Sequence, residues 1–304
     1  MDFDLSDDQA ALLARIDGVV VHRDVEHAFE ISKNGGYDAE LDARLYATMD
    51  PAQPFNLLDR VLVADRLAEL GTATTHAIGL ALGISAPDVM ISAAVTVVGP
   101  TGLARFGAQA GLAVVGSKDE LRVVDLKTAK VEPVRTGFVY PYARVDADGA
   151  RTVGHVDAEV WGGAILLVRC AEVAGIAGAT IARTADHLKS RVQFGRPLAT
   201  LQALRHRLSE LAVSAEATRW LVREAAYTGT PRAVAVAAQY AQQTAAAIVP
   251  EVVQIGGARS FAHEFGQHVG AFRLEALRLE LGRPDALTAA LNAAPMPSGA
   301  HNGR

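Results

Sequence analysis

The polar segment RVQFGRPLATLQ, residues 191–202, stands between two long helical patterns that are rich in alanine and leucine. Arg191 offers a fixed cation with forked donors, and Gln193 and Gln202 offer amides that both donate and accept hydrogen bonds. The quartet FGRP at 194–197 should interrupt a helix, because glycine and proline disfavour helix interiors. The segment is therefore either a plain inter-helix turn with an exposed arginine or a turn that also holds a ligand.

Other common catalytic patterns do not occur in the sequence. It contains no G-x-G-x-x-G after a strand, no P-loop and no G-x-S-x-G elbow. His263 and His268 are five residues apart, which places them on different faces of a helix. Cys170 is the only cysteine and lies in an apolar run, so we expect a core residue and neither a disulfide nor a metal site.

The composition favours close-packed helices. Half of the 304 residues are apolar but only 6% are aromatic, and the net charge of −5 gives no general attraction to nucleic acid or anionic membranes. The segment MDFDLSDDQ lacks the basic region of a signal peptide. The longest uncharged stretch, 233–250, contains three glutamines, so we expect no membrane span and a cytoplasmic protein.

Helix signals dominate the N-terminal part of the chain. Ser6 and Gln9 have the spacing of a capping box. Between 57 and 71, apolar residues recur every three positions and Gly71 follows, which predicts an amphipathic helix with a glycine stop. The apolar segment 72–88 predicts a further buried helix.

Strand signals are concentrated between residues 89 and 150. The segment GLAVVGSKDELRVVDL, residues 111–126, contains two β-branched runs around a polar turn. Asp148-Gly149 is a hairpin signal, and the prolines at 100, 133 and 141 suit edge or turn positions. We therefore predict a small β-domain inserted between helical regions.

The remaining chain has helical periodicity. We predict helices over about 157–191, after Pro197 with Thr200 as its cap, over 231–254, and over 263–282. A leucine stripe on the second of these is typical of antiparallel bundles. The predicted fold is mainly α with a small β-domain: an N-terminal helical domain (1–88), a middle β-domain (89–150), a C-terminal antiparallel helix bundle (151–290) and a flexible tail (291–304).

The helix–β–helix order and the pattern R-x-Q-F-G-x-P-L-x-x-x-Q together resemble the acyl-CoA dehydrogenase family. The segment QIGGARSFAHE, residues 254–264, is similar to the family pattern Q-x-x-G-G-x-G-[FY]-x-x-E. The resemblance implies FAD as cofactor, with both segments reaching across a subunit interface to the AMP half of the neighbour's FAD. The residues that it implies in cofactor binding are Arg191, Gln193, Phe194, Gln202, Gln254, Gly256 and Gly257.

The sequence departs from the family pattern in two places. Ala258 and Ser260 stand where the family has glycines. The β-domain lacks the family's T-E-P-x-x-G-S-D-like loop and Trp-x-[ST] strand, and both tryptophans, Trp161 and Trp220, fall on predicted helices as expected core anchors. The middle domain therefore looks reduced, and we do not expect this chain to hold a flavin ring by itself.

The family's catalytic base is also missing. Removal of an α-proton from an acyl thioester needs a carboxylate of raised pKa. The corresponding region reads LRLELGRPDAL, in which Glu280 is a weak candidate that we expect to be a surface helix residue. We therefore assign no catalytic residue.

The chain resembles subunits of actinobacterial enzymes of steroid side-chain degradation, which assemble as α2β2 heterotetramers of unlike subunits. The resemblance implies a subunit that completes the FAD site while a second acyl-CoA dehydrogenase-like subunit carries the flavin ring, the acyl-CoA and the base. Two alternatives stay open. One is a catalytically silent structural subunit without a nucleotide site, and the other is a self-sufficient homotetramer with Glu280 or Glu172 as base.

Overall fold

The structure is a computed structural model, and its mainly helical architecture with a small β region agrees with the predicted fold class. It describes residues 4–20, 31, 36–49, 55–85, 94–116, 120–155, 158–262 and 265–295. Most of the expected flexible tail, from residue 296 onwards, and His263 lie outside the described residues.

Four helices make up the described N-terminal part: α1 (Asp7–Val19), α2 (Ala39–Thr48), α3 (Leu57–Glu69) and α4 (His76–Ser85). The predicted capping box at the start of α1 is confirmed, because Ser6 and Gln9 bond each other's backbone N–H groups. The glycine stop of α3 is confirmed as well, with Gly71 at a φ of 72°. Asn56 and Asp59 form a further capping box at the start of α3.

Helix α3 is buried around most of its circumference rather than on one face. Arg60 and Asp65, which the apolar stripe would leave on the solvent side, are only 2% and 8% exposed. The reason is that α3 packs against the long first helix of the bundle as well as against α1 and α4.

The β region consists of two small sheets. Its strands are β1 (Val95–Val97), β2 (Leu103–Arg105), β3 (Leu112–Gly116), β4 (Glu120–Asp125), β5 (Val131–Val134), β6 (Tyr142–Val145) and β7 (Arg151–His155). The sheet orders are β1-β3-β4-β7 and β2-β6-β5. The predicted pair of β-branched runs is confirmed as the antiparallel strands β3 and β4, and Pro133 lies on the edge strand β5.

One β prediction is wrong. The Asp148-Gly149 turn exists, but it joins β6 to β7, which belong to different sheets, so it does not close a hairpin. Asp146 instead shapes the turn by accepting a hydrogen bond from the backbone N–H of Asp148 at 3.0 Å. Because β7 pairs with β4, the first sheet continues to His155, past the predicted boundary at 150.

The C-terminal part consists of α5 (Ala158–Ser190), α6 (Gln202–Thr228), α7 (Pro231–Gly256), α8 (Gln267–Leu281) and α9 (Pro284–Ala293). Helices α5 to α8 pack on one another as the predicted bundle. Helix α9 was not predicted. Thr200 does not cap α6: its hydroxyl donates to the Pro197 carbonyl, and the cap position is Leu201.

Helix α5 is the core of the bundle. Residues Val160–Ser190 are long and apolar enough to cross a membrane by length and composition, a candidate that the sequence analysis did not single out. However, 78% of the most apolar window is buried inside the protein, because α5 packs against α3, α6, α7 and α8. Burial in the bundle accounts for the apolar composition of α5.

The two tryptophans differ in their surroundings. Trp161, on α5, packs closely over Gly116 of β3, where a Cβ would overlap the indole ring. Trp220, on α6, is 38% exposed, with the Arg223 guanidinium 4.9 Å from its ring centroid. The expectation of a core anchor is therefore wrong for Trp220, because its helix face is turned to solvent in this chain.

Candidate functional site

We call residues 191–202 the hairpin segment. It lies between α5 and α6 and contains a β-hairpin with a two-residue loop. Strands β8 (Val192–Gln193) and β9 (Arg196–Pro197) pair antiparallel. Phe194 and Gly195 have φ angles of 54° and 74°, and positive φ at both central positions is the requirement of a type I′ turn. The turn projects the Phe194 side chain into solvent, where 85% of it is exposed.

Backbone bonds fix the base of the hairpin segment to the end of α5. The Arg191 N–H donates to the His187 carbonyl at 2.9 Å, and the Leu198 N–H donates to the Arg191 carbonyl at 2.8 Å. The side chains of Arg191, Gln193 and Gln202 are exposed. In the described part of the chain, no carboxylate lies within ion-pair distance of Arg191, so its guanidinium faces solvent.

We call residues 254–262 the glycine segment. It contains the end of α7 and the break that follows it. Gly257 has a φ of 59°, after which a short 3-10 helix covers Gly257–Phe261. Gln254 and Gly257 are exposed, whereas Gly256 is buried against Ser260. Ser260 is only 1% exposed and donates to the Val253 carbonyl at 3.2 Å. This hydrogen bond stabilises the break.

Both segments have a residue next to His187, near the end of α5. The His187 ring lies 4.8 Å from that of Phe265, and the Arg259 guanidinium lies 5.7 Å from the Phe265 centroid. Burial lowers the pKa of His187, and the charges of Arg259 and Arg191 lower it further. Cations from both segments therefore act on the same imidazole. Exposed cations of both segments, Arg191 and Arg259, therefore lie near the end of α5.

A second set of functional groups was not found from the sequence. We call it the interior ion cluster; its members are Arg105, Tyr142, Arg169, Glu172 and Glu280. Both terminal nitrogens of Arg105, on β2, donate to the Glu172 carboxylate on α5 at 3.0 and 2.7 Å. The Arg105 Nε also lies 3.3 Å from Glu280 Oε1 on α8. These charges join the β region to the bundle.

Glu280 is not the expected surface residue, since its side chain is only 11% exposed. Arg169 Nε lies 3.0 Å from Glu280 Oε2, and the Tyr142 hydroxyl donates to the same carboxylate. Burial alone would raise the pKa of Glu280, but the charges of Arg105 and Arg169 outweigh it and lower the pKa. A lowered pKa is the opposite of what a base for α-proton removal needs.

Aromatic rings complete the interior ion cluster. The Arg105 guanidinium lies 4.7 Å from the Tyr140 centroid and 5.7 Å from that of Phe106. Arg273, on α8, lies 5.1 Å from Tyr140 on another side. Glu172 is 9% exposed and is held by two hydrogen bonds to Arg105, so it is no freer than Glu280 to accept a substrate proton. Packed side chains therefore fill the space between β2, β6 and the bundle.

A third polar cluster lies in the N-terminal part. Asp42 accepts hydrogen bonds from Tyr37 and from the hydroxyl and N–H of Thr75, at distances of 2.7 to 3.1 Å. Next to it, His76 is fully buried, and neither ring nitrogen has a hydrogen-bond partner among the described residues. Burial lowers the pKa of His76 to about 3, so its ring is neutral. This cluster joins α2 to the start of α4.

The described residues do not support a metal site or a reactive thiol. No group of three His, Cys, Asp or Glu side chains there could hold a metal ion. Cys170 is fully buried on α5, as expected for a core residue, and burial raises the pKa of its thiol.

Comparison with known proteins identifies one domain. Residues 167–282 match the family described as acyl-CoA dehydrogenase, C-terminal domain. Acyl-CoA dehydrogenase IpdE2 of Mycobacterium tuberculosis is 37% identical over 106 residues, which cover 35% of this chain and 33% of that protein. The chain thus aligns with about a third of the length of this curated relative.

Solved structures share the fold over nearly the whole chain. The ChsE4-ChsE5 complex from Mycobacterium tuberculosis contains a chain that superposes with a TM-score of 0.80 at 19% identity, covering 97% of this chain and 100% of that one. A variant of the Tcur3481-Tcur3483 steroid ACAD superposes with a TM-score of 0.80 at 17% identity, covering 94% and 96%. At such identities the likeness establishes the fold alone.

Proposed function

We propose, on the premise that residues 167–282 form an acyl-CoA dehydrogenase C-terminal domain, that this chain is one subunit of a heteromeric FAD-dependent acyl-CoA dehydrogenase. The reaction is the α,β-dehydrogenation of an acyl-CoA thioester. This chain contributes the AMP-side half of the FAD site. A second acyl-CoA dehydrogenase-like subunit supplies the flavin-ring pocket, most of the acyl-CoA site and the catalytic glutamate.

The observation that carries the proposal is that the hairpin segment and the glycine segment both have a residue next to His187, near the end of α5. A packing role would not require an Arg191 that has no carboxylate partner among the described residues, an exposed Gln193 and a Phe194 that is 85% exposed at the tip of a turn. The groups face away from this chain, which is consistent with a dinucleotide held mainly by a neighbouring subunit.

The residue types suit the AMP side of FAD. The forked donors of Arg191 match a pyrophosphate, and the amides of Gln193, Gln202 and Gln254 can bond phosphate or ribose oxygens. Phe194 offers a flat apolar surface, and the open backbone at Gly257, with Gly256 packed behind it, lets a ligand approach closely. FAD, when bound, would supply the hydride acceptor at its flavin ring.

The interior ion cluster supports the division between subunits. Glu172 and Glu280 are both engaged by arginines, and the pKa of Glu280 is lowered. The self-sufficient homotetramer would need one of them as a base of raised pKa, so this alternative is disfavoured. The ChsE4-ChsE5 complex is an assembly of two chains, which is consistent with an α2β2 arrangement here.

We also propose a substrate class and a location for this chain. The Tcur3481-Tcur3483 protein is a steroid ACAD, and by similarity a steroid side-chain CoA thioester is the proposed substrate. No residue described here recognises a steroid. A cytoplasmic location fits the burial of α5 within the bundle.

Substitution of Arg191 tests the proposal. In the complex with a co-expressed dehydrogenase-like partner, Arg191→Gln should lower the flavin retained per complex after gel filtration, with the melting temperature of the free chain unchanged. Arg135→Gln, the same charge change at an exposed position of the β region, should retain wild-type flavin. Equal flavin in both variants would favour the alternative of a catalytically silent structural subunit.

A further inference from the structure

Helix α6 exposes a row of large apolar side chains. Val213, Trp220 and Tyr227 are 68%, 38% and 69% exposed, and each is seven residues from the next. Seven residues are close to two helical turns, so the three side chains lie along one line of the helix surface, about 21 Å long. We call these three residues the α6 row. None of them belongs to the set proposed above for FAD.

The residue types of the α6 row are typical of subunit interfaces. A single exposed apolar residue is ordinary on a protein surface, whereas tryptophan, tyrosine and arginine are enriched where subunits meet. The Arg223 guanidinium lies 4.9 Å from the centroid of the Trp220 ring, so all three types occur together here. A straight line of side chains on one helix packs well against a second helix. The α6 row therefore suits a helix–helix contact between subunits.

Charged residues flank the α6 row in a regular way. Glu216 and Arg223 are seven residues apart, as are Ala217 and Glu224. At about 100° per residue, Glu216 and Arg223 lie on one side of the row, and Ala217 and Glu224 lie on the other. One side of the row therefore carries both signs of charge, and the other carries a carboxylate and a small apolar residue.

Two copies of α6 in antiparallel orientation match each other. A two-fold axis at Trp220 brings residues that precede and follow Trp220 by equal distances to the same level, with equivalent sides of the two rows adjacent. Val213 then faces Tyr227 of the second copy, so that a small side chain meets a large one. Glu216 lies four residues before Trp220, and Arg223 lies three residues after it. Their opposite charges therefore meet across the interface, twice by symmetry.

The other contacts also favour this pairing. Glu224 comes level with Ala217 of the second copy, so it meets no like charge. A parallel pair would set Tyr227 against Tyr227 and Val213 against Val213, which would space the two helices unevenly. Opposed helix dipoles favour the antiparallel pair as well.

We propose that two copies of this chain associate through their α6 rows, antiparallel and related by a two-fold axis at Trp220. The function proposed above includes two copies of this chain in an α2β2 assembly but does not say where they meet. The α6 row contains no residue of the proposed FAD site, so each proposal can fail without the other.

The oligomeric state of the free full-length chain, measured by sedimentation velocity, tests the inference. Wild type should be a dimer at micromolar concentration, against a mass of 32.0 kDa for one chain. Tyr227→Glu should raise the dissociation constant roughly tenfold or more, because it sets a charge against Val213. The melting temperature of this variant should stay that of wild type under conditions where both are monomeric, since the Tyr227 side chain is mostly exposed.

Leu279→Glu is the matched control, because Leu279 is an apolar residue of α8 that is 63% exposed. This variant should dimerise like wild type. A monomeric wild type, or equal dissociation constants for wild type and Tyr227→Glu, would overturn the inference.

Disulfide trapping tests the antiparallel two-fold axis. The native Cys170 is buried, so an introduced cysteine is the exposed thiol of the variant. Trp220→Cys should form an intermolecular disulfide under mild oxidation, because a residue at the axis meets its own copy. Tyr227→Cys should not, since its copy lies about 21 Å away along α6. Equal trapping of the two variants would indicate a parallel pair and overturn the proposed arrangement.

The mass and flavin content of the complex with a co-expressed dehydrogenase-like partner separate this inference from the proposed function. A monomeric free chain that forms a yellow complex overturns the inference alone. A dimeric free chain whose complex is colourless overturns the shared FAD site alone. If the free chain is monomeric and Tyr227→Glu releases the partner, the α6 row binds the unlike subunit and the inference is wrong.

Discussion

The variant Glu280→Gln tests whether the Glu280 carboxylate has a structural or a catalytic role. The amide keeps the side-chain volume and can still accept from Tyr142, but it loses the charge that faces Arg105 and Arg169. Breaking a buried ion pair costs about 3–5 kcal/mol when the partner is left uncompensated. Arg105 keeps two hydrogen bonds to Glu172, and Arg169 keeps one to the Glu280 backbone carbonyl at 3.3 Å, so the cost should be nearer to that of one charge-assisted hydrogen bond, about 1.5–3 kcal/mol.

The expected result is therefore a less stable chain with normal chemistry. The free energy of unfolding from urea titration should fall by about 1.5–3 kcal/mol. Turnover of the complex, assayed well below the melting temperature, should stay within about twofold, whereas loss of a general base typically costs about 10² to 10⁴ in rate.

Glu275→Gln is the matched control for this variant. It lies on the same helix, and its pair with Arg278 is partly exposed, so its cost should be below about 1 kcal/mol. A loss of turnover beyond about a hundredfold in Glu280→Gln, with unchanged stability, would refute the structural interpretation of Glu280.

Two further predictions concern packing and pH. Gly175→Ala should lower the unfolding free energy by about 1–3 kcal/mol, because a Cβ there would overlap the Asp65 carbonyl of α3. Gly162→Ala, on the same helix with open space around it, should be neutral or stabilising, and equal effects of the two changes would contradict the packing argument. His76 has a folded-state pKa of about 3, below its unfolded value of about 6.5. The neutral ring of His76 therefore contributes its full stability above about pH 6.5, and this stability is lost as the pH falls from about 6.5 towards 3. When the pH is lowered from 7 to 5, the unfolding free energy from urea titrations should fall by about 2 kcal/mol less in His76→Phe than in wild type. Equal falls in the two proteins would show that His76 is not the titrating group.

Local signals were sufficient to predict much of the fold. The capping box at Ser6, the glycine stop at Gly71 and the pair of β-branched runs in β3 and β4 were predicted because the determinants lie within a few residues of each other. Phe194 was correctly placed in a turn, although not in a hairpin with positive φ at a non-glycine residue. Thr200 failed as a cap because a 3-10 turn moves the start of α6 to Gln202.

The interior ion cluster could not be predicted, because its partners are far apart in the chain. Arg105 meets Glu172 across 67 positions, and no periodicity in either segment points to the other. A signal does exist in retrospect: Glu172 is a lone acidic residue within the apolar run of α5, where an unpaired charge would be costly. The two segments were proposed as part of a cofactor site through family resemblance, and the structure adds that each has a residue next to His187.

The most direct test of the shared FAD site is the flavin content and mass of this chain, alone and co-expressed with a dehydrogenase-like partner. We expect a colourless free chain and a yellow complex of two unlike subunits. A free chain that purifies yellow and tetrameric would contradict a shared site, because it would show that this chain holds the flavin ring without a partner.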